Sequence, residues 1–301
     1  MTDVLTSVGA RLADRWIALL VLPGAIYVSA VVAGIRLGHR NAINSYRLSG
    51  DIRTLSMVPA SSNAGTIVLV LIAVLALSGV SGLTASALGG LLERYWHSSE
   101  EQWWLANLAV WWRRSRWQRL ERKVTQLVSQ DLAGTAREDY KASPATALVL
   151  ARRNRISVDL PKRTTWIGDR FLLVYTRIES AYSLDLQVAW ASLWLSLGDQ
   201  ARSELVAARD AHGATARLGG WAILYLALGT VWWPALVASA VLSITAGLRG
   251  RRTCDLLADL VEGTVDRFGR ELAMSLGLKC PGPLTRIEGQ AMSDLLGKRY
   301  K

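Results

Sequence analysis

The sequence predicts an all-α fold in which integral membrane helices accompany a helical polar domain. Three observations predict it. Leu218–Leu248 runs for thirty-one residues without a charge, and Trp16–Ile35 and Ala64–Leu92 are also charge-free. About 20 apolar residues cross a bilayer, whereas a buried helix of a soluble core rarely runs so far without a polar face. The chain also holds thirteen Trp but only two Phe, and Trp suits a membrane–water interface, being an apolar ring with one N–H to satisfy. A Trp-rich soluble core is the alternative, but many of these Trp stand beside Arg.

The chain divides into an N-terminal membrane region (1–92), a helical cytoplasmic domain (93–217), a membrane hairpin or re-entrant pair (218–248) and a cytoplasmic helical tail (249–301). Net charge is +11, distributed as 0 over 1–15, +3 over 36–63, +5 over 93–217 and +3 over 249–301. A charge excess spread over the polar segments fits contact with anionic lipid headgroups. Nucleic-acid binding, which concentrates charge on one domain, is disfavoured. Cys254 and Cys280 are too few for a zinc site, and His39, His97 and His212 are scattered, so no metal or cofactor is expected.

In order, residues 1–15 form a polar lead. Val28-Ser29-Ala30 resembles a signal cleavage site, but apolarity continues to Ile35, which favours an uncleaved helix kinked at Pro23-Gly24. Residues 36–63 carry turn chemistry. In the second span, Ser78, Gly82, Ser86 and Gly90 recur every four residues, a spacing that predicts a close helix–helix contact within the chain or between copies. Ser98 with Glu101, or Ser99 with Gln102, then offers a capping box. The following helix carries Trp103 and Trp104, then the run Trp111–Lys123 with six cations and one anion. Trp103, Trp104, Trp111, Trp112, Arg113, Arg114, Arg116 and Trp117 together suggest a membrane-surface anchor, an ordinary solvated face being the bland alternative. The apolar stripe changes side beyond the basic cluster, at Trp117, Leu120, Val124 and Leu127.

Residues 131–165 break into short helices. From Trp166, Phe171, Val174 (or Tyr175), Ile178 and Tyr182 form one amphipathic face, and Asp185 caps a second helix bearing Trp190, Leu193 and Trp194. Trp166, Asp169, Arg170, Trp190 and Trp194 are candidates for binding a protein partner, with capping and surface pairing the default for the two ions. Three stretches, TTWIGDR (Thr164–Arg170), LDLQVAWASLWLSLGD (Leu184–Asp199) and GWAILYLALGTVWWPAL (Gly220–Leu236), resemble a recurring group of actinobacterial membrane proteins of unassigned function. The likeness covers under half the chain, departs from the group's prolines at Ala191 and Gly198, and implies a multi-pass membrane location but no catalytic residues.

As one helix, Leu218–Leu248 would reach about 46 Å, too long for a core of about 30 Å. Gly229 to Pro234 predicts a break near its middle. Leu257, Val261, Val265, Phe268, Leu272 and Leu276 then stripe a helix from about Thr253, and Thr285 with Glu288 caps a last one.

Residues 93–217 hold nineteen Lys and Arg and residues 249–301 hold ten, so the positive-inside rule places both in the cytoplasm, with two crossings between them. The four Arg of loop 36–63 argue the other way locally. No P-loop, G-x-S-x-G, H-E-x-x-H or paired-Cys motif occurs, and no acidic residue falls within a span. The functional expectation is a membrane-anchored interaction or scaffold protein in the cell membrane, with anionic lipids and a cytoplasmic protein as partners and a homo-oligomer as a further option. An oligomerising membrane-perturbing effector is the alternative. An enzyme acting on lipids, with Asp169 or Asp185 as base, stands third.

Overall fold

The computed structural model describes residues 21–44, 46, 50, 63–97, 104–133 and 143–298. Among these residues all regular structure is helical: α1 (Leu22–Leu37), α2 (Ala64–His97), α3 (Trp104–Ala133), α4 (Pro144–Asn154), α5 (Trp166–Tyr182), α6 (Leu186–Ser196), α7 (Asp199–Leu228), α8 (Pro234–Ser275) and α9 (Arg286–Leu296). The polar lead, the first residues of the first span, the caps at Ser98 and Ser99, Trp103 and the side chain of Trp104 lie outside the described residues. The chain forms two compact units, one of residues 1–93 and 213–249, the other of 94–212 and 250–301.

In the first unit, α2 is the one described helix long and apolar enough to cross a membrane, and α1 is a shorter apolar helix. The long apolar run breaks between Leu228 and Pro234. Proline cannot donate the next backbone bond, but it fits the first turn of a new helix, so α8 starts there.

These helices meet through glycine. A Cβ at Gly24 would lie 2.1 Å from the Ser78 carbonyl oxygen, and one at Gly220 would lie 2.0 Å from that of Ala85. A Cβ at Gly89 would meet the Arg217 Cα at 2.8 Å. The buried face of α2 is therefore Ser78, Gly82, Ala85 and Gly89, which corrects the four-residue series. At 3.6 residues per turn, each four-residue step drifts by about 40°, so Ser86 is half-buried and Gly90 looks onto open space. Alternating steps of three and four cancel the drift and hold one face. Hydrogen bonds finish the seam: Ser239 Oγ donates to Ala222 O at 2.8 Å, Tyr27 Oη to Leu224 O at 3.3 Å, and Trp232 Nε1 to Ala42 O at 3.1 Å.

In the second unit, the core gathers Val174 and Ile178 of α5, Ala189 and Leu193 of α6, Val265 and Leu272 of α8, and Met292 of α9. The α5 and α6 stripes appear as expected. Ser183, in the left-handed region at φ 52°, turns the chain between them, and Asp185 caps α6 through the Gln187 amide. A Cβ at Gly289 would sit 1.9 Å from the Tyr182 carbonyl oxygen, so α9 crosses the end of α5 backbone to backbone. The capping box of Thr285 and Glu288 is present. The tail helix does not start at Thr253. It is the continuation of α8, because Arg249 to Arg252 change solvation without removing a backbone hydrogen bond.

Candidate functional site

The basic helix α3 packs against α4, and its cluster divides by direction. Trp111 and Trp112 are exposed at 63% and 55%, and the Arg116 guanidinium stands 5.5 Å over the Trp112 ring. These three remain free for a surface role. Arg113, Arg114 and Trp117 do not. Arg113 donates to the carbonyls of Arg163 and, at 2.6 Å, Ile156; Arg114 donates to Pro161 O at 2.7 Å. Trp117 is buried and donates to Ser157 O at 3.0 Å. For these three the surface-anchor reading is corrected: they hold the irregular segment 155–165, whose carbonyls have no helix or sheet to satisfy them.

Asp169 closes this arrangement. Thr165 caps α5 through the Gly168 amide, which turns Asp169 back over the incoming loop. Its Oδ1 accepts from the amides of Lys162 at 2.8 Å and Arg163 at 2.7 Å, and its Oδ2 lies 2.9 Å from Arg113 Nη2. The carboxyl titrates above its usual range because burial outweighs the pull of Arg113 and of the two amides. Trp166 donates to Asn154 O at 3.2 Å and carries the Arg251 guanidinium 5.5 Å over its ring. Burial, with Arg113 and Arg155 nearby, pulls Arg251 below its usual value. Of the partner candidates, Asp169 and Arg170 are therefore spent inside the unit. Arg170 reaches Asp255 at 2.9 Å through Nε and Asp259 through Nη2.

Trp190 and Trp194 differ from these. Their ring centres lie 6.2 Å apart, Arg202 stands 5.8 Å over Trp194, and both rings are half-buried with Leu195 beside them at 78% exposure. That is an aromatic platform stiffened from beneath, since Trp190 also packs on the core cluster. Rigid, partly exposed aromatics of this kind lose little entropy on binding and are favoured at protein interfaces.

A second assembly joins residues that look scattered in the sequence. His97 stacks edge-on to Phe171 at 4.8 Å and lies 5.5 Å from His212, which is buried, 5.8 Å from Trp96 and hydrogen-bonded to Thr253 Oγ1 at 3.2 Å. Among the described residues no three His, Cys, Asp or Glu side chains group as a metal site. Buried His212 and exposed His97 thus meet within one group of aromatic rings at the edge of the second unit's helices.

Cys254 and Cys280 are free and buried, and burial pushes the Cys254 thiol up to about 12. A thiol so placed is not a nucleophile. Maleimide should therefore label neither cysteine in the folded protein at neutral pH and both after denaturation in SDS; rapid labelling of Cys254 beforehand would show that α8 opens there. Comparison with protein-family models, curated proteins and solved structures finds no match to this chain.

Proposed function

We propose that this chain is a multi-pass protein of the cell membrane, its first unit set in the bilayer and its second unit cytoplasmic, where the Trp190–Trp194 platform receives a protein partner. The observation that carries this is the outward face of the first unit. Only 11% of the most apolar eighteen-residue stretch of α2 is buried, and Ile26, Val32, Leu69, Leu71, Val241 and Ile244 are all more than half exposed. Soluble proteins rarely expose a contiguous apolar surface beyond a few hundred Å². The parts of α7 and α8 in this unit, residues 213–228 and 234–249, run about 24 Å each, a few Å short of the bilayer core. Local thinning or snorkelling of Arg217 and Arg249 closes that gap.

The effector reading gains no support from the small-residue face, because Ser78, Gly82, Ala85 and Gly89 are already buried within the unit. Oligomers would need another surface.

Alkaline carbonate washing and a map of single introduced cysteines test the membrane reading. Probes at Asn44, Ala133, Ala211 and Asp294 suit the map, because all four positions are exposed. The chain should resist carbonate, with Asn44 labelled from outside and the other three only after permeabilisation. Release by carbonate would end the membrane reading, and labelling of Ala133 from outside would end the cytoplasmic one. For the platform, Trp194→Ala should reduce cross-linking to the partner about tenfold, the equivalent of about 1.4 kcal/mol, with the fold unchanged.

A further inference from the structure

The first unit contains a lateral groove of about 580 Å³, within the range of roughly 300–1,000 Å³ typical of small-ligand pockets. α1, α2, α7 and α8 all contribute to it. Its walls are mostly apolar, with Ser86 and one cation, Arg217, among them, and the residues along α7 are graded. Arg217 stands at one end, with Trp221 one turn on and Tyr225 a turn further, facing Val241 of α8. Those three α7 positions share a face and span about 12 Å.

Arg217 is half-buried, and among the described residues no carboxylate pairs with it. It is the sole charge between Asp210 and Arg249. A guanidinium partly shielded from water gains from a counter-ion, and its fork matches phosphate oxygens two at a time. Ile26 and Val241, at 59% and 58% exposure, open the groove sideways. On the membrane reading, on which this inference rests, that side is the lipid.

From this charge complementarity and grading we infer that the groove binds an anionic phospholipid, phosphate on Arg217 and acyl chain along Trp221, Tyr225 and Val241. The cation stands immediately before the charge-free run, at the end of the segment where headgroups lie. The lipid thereby neutralises Arg217 and fills a space that the helices leave open.

The test uses the full chain in phosphatidylcholine vesicles doped with a trace of phosphatidylglycerol carrying a photoactivatable acyl chain, or with the matching phosphatidylcholine probe. Labelled peptides are mapped by mass spectrometry. The glycerol probe should label the Trp221–Tyr225 and Ala238–Leu242 segments about tenfold more than the choline probe. Arg217→Gln should erase that preference and Arg217→Lys should keep part of it. Ala238→Trp, which fills the groove, should abolish groove labelling by both probes and leave labelling of α2 intact.

Equal labelling by the two probes, or a preference that survives Arg217→Gln, would overturn the inference. So would cross-links from the groove to a second copy, or loss of label to excess glycerol phosphate, which would assign the site to a soluble anion. A carbonate-resistant chain with an unlabelled groove removes this inference alone; a chain that carbonate extracts removes the membrane reading beneath it.

Discussion

Asp169→Ala should lower the unfolding free energy by about 3–5 kcal/mol, the cost of breaking a buried ion pair from one side. The substitution strands Arg113, whose side chain is 12% exposed, and releases the amides of Lys162 and Arg163. Urea unfolding in detergent, followed by Trp fluorescence, measures it, and proteolysis between Ile156 and Thr165 should accelerate in parallel. Asp185→Ala is the control. That carboxylate is exposed and caps one helix, so its loss should cost about 1 kcal/mol. Equal effects at the two positions would show that the clamp around Asp169 is not what holds the segment.

The pH dependence follows from the same burial. Because the folded carboxyl titrates above its ordinary value of 3.8, the folded state binds the proton more readily than the unfolded one. The stability contributed by this titration is complete below 3.8 and is lost as pH rises through the folded value. The stability difference between wild type and Asp169→Asn should therefore widen on acidification across that window. A difference that narrows would mean that Arg113 and the two amides dominate the carboxyl instead.

Gly220→Leu should cost about 3 kcal/mol or more, the upper end for overpacking, because the atom it meets is backbone. Its Cβ would stand 2.0 Å from Ala85 O and 2.8 Å from Gly89 N, and no rotamer change relieves a clash with the main chain. α2 and α7 would have to separate, unpacking the seam from Gly24 to Gly89. Gly90→Leu is the matched test, since nothing lies within 4 Å of its Cβ. In a helix Leu is favoured over Gly by several tenths of a kcal/mol, so Gly90→Leu should be neutral or slightly stabilising. Thermal scans of both variants in one detergent decide the matter. If Gly90→Leu were the more damaging, the packing face would be the four-residue series after all.

What was legible in the sequence was what one residue's chemistry decides locally. Pro234 announces the break in the long apolar run, Asp185 and Thr285 announce helix starts, and the α5 stripe announces its buried side. Interactions set by distant partners were not legible. A run of six cations reads as a solvated or lipid-facing surface until Asp169 and the carbonyls of segment 155–165 are seen to occupy Arg113 and Arg114. Likewise His97 of α2 and His212 of α7 meet only where Trp96 of α2, Phe171 of α5 and Thr253 of α8 gather around them. On α2 a small angular drift compounds over three turns and carries the four-residue series off the buried face. A local propensity does not reveal that drift; only the contacts with Gly24 and Gly220 do.

Arg170 holds two carboxylates one helical turn apart on α8. Their side chains are 47% and 67% exposed, so water screens them and their energetic worth is small. Their geometric worth is larger. Sliding α8 by a single residue would swing both acids through about 100° and leave the fork grasping nothing. The pair works as a detent: together with the buried Ala258, Val265 and Leu272 of the same helix, it selects one axial setting of α8.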